Sequence, residues 1–139
     1  MSSPITLIII AVIIVGVFVF VSTIITKKRG HIFDQEKYQV DWLKIENTLT
    51  PANPHTFATT VIDADKLLDK ALCELGAPGK TTADRLKSVK TKFTKKQSVY
   101  YAHNLRNQIA HEHKFKPTYK QSRHALLSFR QALIDLGAI

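Results

Sequence analysis

The sequence predicts an all-α protein: a single apolar N-terminal transmembrane helix followed by an antiparallel bundle of four to five helices. Three observations carry this. Residues 5–26 contain no charged side chain, and all 20 Lys and Arg and all 11 Asp and Glu come after them. Beyond that run, apolar residues recur at spacings of three and four, the period of one helix face. No stretch alternates polar and apolar long enough for a strand, and glycine and proline fall mostly between the periodic segments. Short connections between amphipathic helices make neighbours antiparallel, which is a bundle.

Residues 5–26, as a helix, are about 33 Å long, and a bilayer's hydrocarbon core is about 30 Å thick. A signal peptide would show a basic start, a shorter apolar core and a small-residue cleavage site. Here Met1-Ser2-Ser3-Pro4 carries no basic side chain, the run is longer, and Lys27, Lys28 and Arg29 follow at once. A retained anchor over residues 1–26 is therefore expected. The many Ile and Val residues do not oppose helix, because hydrocarbon forces the backbone to bond within itself. Basic side chains on one flank only place the N-terminus outside and the remainder in the cytoplasm. The single Cys73 agrees with a reducing compartment. Lys27, Lys28 and Arg29 are the expected contacts to anionic headgroups or other phosphates.

Residues 27–52 read as a basic linker and a first amphipathic helix. Asp34 caps it, and Tyr38, Trp42, Ile45 and Leu49 form its apolar edge. Pro51 and Pro54 interrupt it, with Asn53 as the next cap. Residues 53–139 then read as a helical bundle. Its first helix, about 54–75, buries Phe57, Val61, Ala64, Leu68, Ala71 or Leu72, and Leu75, with Cys73 on that apolar side, and stops at Gly76. Thr81 and Asp84 form a capping box for a short helix carrying Leu86, Val89 and Phe93. Residues 94–97 connect onward to a helix over 98–113, with Tyr101, Leu105 and Ile109 as its core edge. The last helix, 118–136, turns Tyr119, Ala125 or Leu126, Phe129, Ala132 or Leu133, and Leu136 inward, and Gly137 caps it.

The net charge of +9 suits anionic partners, either lipid headgroups or nucleic acid. The chemistry-bearing residues cluster between 103 and 112. His103, Asn107 and His111 are spaced by four and share a helix face. Arg106 is always charged, and an imidazole titrates near neutrality, so the pair can hold a phosphate and move a proton. Arg106 and His111 are roughly 140° apart around the helix at 100° per residue. They therefore make at most half a site on one chain. Pairing of Arg106 with Glu112 or Asp65 is the competing structural role.

Other chemistries fit less well. His111-Glu112-His113 lacks the H-E-x-x-H spacing that brings two imidazoles to one ion, so no metal is expected. The segment 76–82 lacks the spacing and preceding strand of a phosphate-binding loop. No cofactor motif is present. The apolar run holds no ionisable residue, which disfavours a site inside the bilayer.

The segment Arg106-Asn107-Gln108-Ile109-Ala110-His111 resembles the R-x4-6-H motif of the HEPN superfamily, including the polar residue after the arginine. The stretch 61–72, followed by Gly76 and Ala83-Asp84-Arg85-Leu86, is also similar to small bacterial HEPN-like proteins. The resemblance spans about 53–137 and leaves out the anchor. It implies a bundle that dimerises through the motif helices and, in active members, a composite metal-independent endoribonuclease site. By that likeness Arg106 holds the scissile phosphate of an RNA, His111 transfers a proton and Asn107 orients the site. His103 and Glu112, on the same helix segment, are candidate accessory residues. The alternative expectation is a non-catalytic module that docks a protein partner or anionic lipid at the cytoplasmic membrane face.

Overall fold

The computed structural model describes residues 4–27 and 33–139. The chain divides into two compact units, Met1–Ile32 and Phe33–Ile139. The first contains α1, Pro4–Lys27. Its side chains are exposed from Pro4 to Val21, and residues Pro4–Ser22 are long and apolar enough to cross a membrane. Within that stretch Ser22 Oγ donates to the Phe18 carbonyl at 2.7 Å, an internal bond of the kind an apolar surrounding favours. Lys28, Arg29 and the side chain of Lys27, expected to contact lipid or phosphate, lie outside the described residues.

The second unit is all-helical among the described residues. It contains α2 (Gln35–Thr48), α3 (His55–Glu74), α4 (Thr82–Ser88), a 3-10 turn (Lys90–Lys92), α5 (Lys96–His111) and α6 (Tyr119–Leu136). The element types and order follow the apolar periodicity. α3 is the central element: α2, α4, α5 and α6 all pack on it, and α5 packs on α6. Val61, Ala64, Leu68, Ala71 and Leu72 line its inner face and are fully buried. Tyr38 and Trp42 of α2 belong to the same core, so the compact unit begins at Phe33, ahead of the proline break.

Caps set most of the boundaries. The Asp34 carboxylate accepts from the Lys37 N–H at 3.1 Å, and Asn53 accepts from the His55 N–H at 3.2 Å. Thr81 and Asp84 form the reciprocal capping box expected of them. Thr118 and Gln121 form a second one. α6 ends in a Schellman motif, with Gly137 at φ 80° and the Ala138 N–H donating to the Leu133 carbonyl at 2.9 Å. Gly79 is required for a different reason. A Cβ there would lie 2.6 Å from the Asp84 Cβ and 2.7 Å from the Arg85 backbone nitrogen. That close approach lets Arg85 Nη1 donate to the Gly79 carbonyl (3.0 Å) while its Nε and Nη2 fork onto Asp69 of α3 (2.9 and 2.7 Å). A two-pronged guanidinium–carboxylate contact of this kind fixes orientation as well as distance, and it ties α4 to α3.

Four expectations change. Cys73 is exposed, because it lies outside the stripe set by Leu68, Ala71 and Leu72. α5 begins two residues early, at Lys96. The preceding Thr94 is held from the far end of the bundle: its N–H donates to the Asp135 carboxylate at 2.8 Å and its Oγ at 2.9 Å. α5 also ends early, because Glu112 turns to extended backbone. Tyr101 is 39% exposed, and Val99, Ala102 and Leu105 form the buried edge in its place.

Asp135 makes the Thr94 tie sensitive to acid. Burial alone would raise its carboxyl, but hydrogen bonds from Gln131 and Thr94 outweigh burial and hold it below the ordinary 3.8. A carboxyl whose pKa is lowered by folding adds stability above its unfolded value and loses it as pH falls through the folded one. The stability gap between the native chain and Asp135→Asn is therefore full at neutral pH. It closes as the solution is acidified below 3.8. Urea unfolding followed at Trp42 across that range measures the gap, and a pH-independent gap would refute the tie.

Candidate functional site

The site is built around a buried carboxylate. Asp65 sits on the α5-facing side of α3 and is 3% exposed. An unpaired charge there would be costly, and two groups from α5 compensate it. His103 Nδ1–H donates to Asp65 Oδ1 at 2.8 Å. Arg106 Nε lies 3.4 Å from Asp65 Oδ2. The two α5 residues are three apart, so they reach the same carboxylate from one helix face. His103 is thus a buried structural partner, separated from the exposed face that its four-residue spacing with His111 implied. Of the two acids weighed as partners of Arg106, the structure pairs it with Asp65.

Arg106 is held but not consumed. Its Nε is buried without a proper hydrogen bond, and its Nη1 donates to Asn107 Oδ1 at 3.2 Å. Nη2 makes no hydrogen bond among the described residues, and about a third of the side chain is exposed. Asn107 presents its carbonyl to the guanidinium, which leaves its amino group without a protein partner among the described residues. The result is a braced cation beside a spare amide donor, which suits an oxyanion.

His111 is the last residue of α5 and is exposed. With Tyr101, Asn104, Asn107, Gln108 and Glu112 it lines an open depression of about 540 Å³. Arg106 does not line it and reaches its edge only through Asn107. His111 is five positions on from Arg106, about 7.5 Å along the helix axis. One chain therefore brings Arg106, Asn107 and His103 together and leaves His111 apart, next to Asn107 and Glu112. No grouping of three or more His, Cys, Asp or Glu suitable for a metal ion occurs among the described residues.

Asp65 was legible only as one of two acids available to Arg106. Its bond to His103 had no signal in spacing, because it joins positions 38 residues apart. No protein-family model matches this chain, and no curated protein or solved structure matches it.

Removing the carboxylate tests its place. Asp65→Ala leaves His103 and Arg106 Nε facing uncompensated space and costs about 3 kcal/mol, the usual loss when one partner of a buried pair is removed. Asp65→Asn keeps the shape and one acceptor and costs less. Urea unfolding of the full chain in neutral detergent, read at its single Trp42, gives both values. Two losses near zero would mean that Asp65 does not hold α5.

Proposed function

We propose that this chain is a membrane-anchored, HEPN-like, metal-independent endoribonuclease that acts as a dimer through α5. The observation that carries the reading is the braced Arg106–Asn107 pair beside a depression that holds an exposed imidazole, His111. The guanidinium and the free Asn107 amide bind the phosphate oxygens of an RNA linkage. The 2′ oxygen attacks the adjacent phosphorus as its proton passes to an imidazole. The bond to the 5′ oxygen breaks, and that oxygen takes a proton. The products are a 2′,3′-cyclic phosphate and a 5′-hydroxyl end. A single imidazole cannot stand at both the attacking and the leaving oxygen of an in-line displacement. The α5 helix of a second copy supplies the other His111, as well as the guanidinium missing from the depression. Confinement by α1 to one membrane plane favours that meeting.

The expected result is cleavage of a labelled RNA by the full chain in neutral detergent with EDTA present. Arg106→Ala and His111→Ala each lower the rate by about 10²–10⁴-fold, the range for loss of an acid–base group, with helical content intact. An inactive native chain, or His111→Ala with full activity, would sink the reading. One observation favours a second reading: the buried Asp65 carboxylate lies 3.4 Å from Arg106 Nε and offsets part of its charge. The bundle would then be a non-catalytic module docking a protein or anionic lipid at the membrane. In that case Arg106→Ala changes stability alone.

The bases at 27–29 support a cytoplasmic bundle with the N-terminus outside. Cys73 is the only cysteine and is exposed, so it reports sidedness. A membrane-impermeant maleimide should leave it unlabelled in intact cells and label it after lysis. Labelling of intact cells would reverse the orientation.

A further inference from the structure

Charge in the bundle is divided along the chain. From Phe33 to Asp84 there are nine acidic residues and five lysines. From Arg85 to Ile139 there are twelve Lys and Arg and only two acids, Glu112 and Asp135. The acids of the first part are mostly engaged. Asp34 and Asp84 cap helices, Asp65 and Asp69 hold α5 and α4, and Asp41, Asp63 and Glu74 pair with Lys44, Lys66 and Lys70. The second part has no such neutralisation: among its described Lys and Arg residues, only Arg85 and Arg106 form ion pairs.

Some of this free charge lies in a groove. Lys95, His124, Arg130 and Gln131, together with the exposed apolar side chains of Leu127 and Ile134, line a concavity of about 300 Å³ between the start of α5 and the outer face of α6. Its one nearby acid, Asp135, is saturated by Thr94 and Gln131. His124 also stacks against Tyr101, with ring centroids 5.0 Å apart and planes tilted by 45°. Tyr101 lines the depression that holds His111. The two concavities are thus joined through one exposed ring pair.

We infer that this joined strip binds a single-stranded polynucleotide. Lys95 and Arg130 hold successive phosphates, and the Tyr101–His124 ring pair stacks a base. Amide side chains at Asn104 and Gln108 carry the strand toward His111. A cationic groove with an aromatic platform is the arrangement that unpaired nucleic acid needs, since every base offers a ring face. A lipid surface uses lysine charge but has no use for an aromatic step inside a concave track. The strip rests on the proposed ribonuclease only in leading to His111, because binding along it needs no cleavage.

The test is fluorescence anisotropy of a labelled oligouridylate on the full chain in phosphatidylcholine nanodiscs, across a salt series. Lys95→Ala with Arg130→Ala should weaken binding and flatten the slope of log affinity against log salt by about 1.4, two single-strand phosphates at about 0.7 each. Tyr101→Ala should weaken binding about tenfold, and Tyr101→Phe should restore it. The control Lys44→Ala with Lys66→Ala removes equal charge from α2 and α3 and should change the slope little. Binding through Lys95 and Arg130 without cleavage would support the strip and defeat the ribonuclease. Cleavage with binding indifferent to these residues would do the reverse. The strip is overturned if the control pair weakens binding equally. It is also overturned if the chain ignores the oligonucleotide yet binds phosphatidylserine vesicles through the same pair.

Discussion

The arrangement of the bundle depends on one buried carboxylate. α3 is the element that the other bundle helices pack against, and nearly all of its inner face is apolar and non-directional. Thr60 satisfies its hydroxyl within the helix itself, and Asp65 is the charged exception. Apolar contact lets a helix rotate or slide by a fraction of a turn at small cost, but a buried charge has few acceptable partners. His103 and Arg106 meet it from one face of α5. That requirement sets the rotation of α5 on α3. It carries Val99, Ala102 and Leu105 into the core and leaves Tyr101, Asn104, Gln108 and His111 outside. The exposed face of α5 is thus a consequence of what Asp65 demands on the hidden one.

This explains which features could be read from the residues alone. Helix starts were legible because a cap is a local event: Asp34, Asn53 and the Thr81–Asp84 box act within three residues of themselves. The stripe of α3 was legible because it has only one strongly apolar face. α5 has two competing readings, Tyr101–Leu105–Ile109 and Val99–Ala102–Leu105, and both fit helical spacing. The choice between them is made by Asp65, far away in sequence, and by a histidine that spacing alone would put with His111. The early start of α5 has the same kind of cause, since Asp135 reaches Thr94 across 41 positions.

The same interaction shapes the candidate site. Asp65 braces the arginine and also competes for it. A guanidinium fully claimed by a carboxylate has nothing left for a phosphate. Arg106 is not so claimed: its Nε lies at 3.4 Å without a proper hydrogen bond, in contrast to Arg85, which makes three hydrogen bonds to Asp69 at 2.7–3.0 Å. The two arginines display the difference between a clasp and a brace. Arg85 is spent on architecture. Arg106 keeps Nη2 and the outer edge of Nη1 available beside Asn107.

A division of labour between the two parts of the bundle follows. The acidic first part spends its carboxylates on caps, ion pairs and the grip on α4 and α5. Those bonds engage most of the negative charge with neighbours of its own. The basic second part receives that support and returns few ion pairs, so its lysines and arginines face solvent with their charge intact. An even mixture of signs would have been more favourable for a bundle that had only to fold, since like charges on α5 and α6 repel. Such segregation makes physical sense when an external polyanion completes the charge balance, and α5 and α6, where the unpaired cations meet an exposed ring pair, are where it would do so.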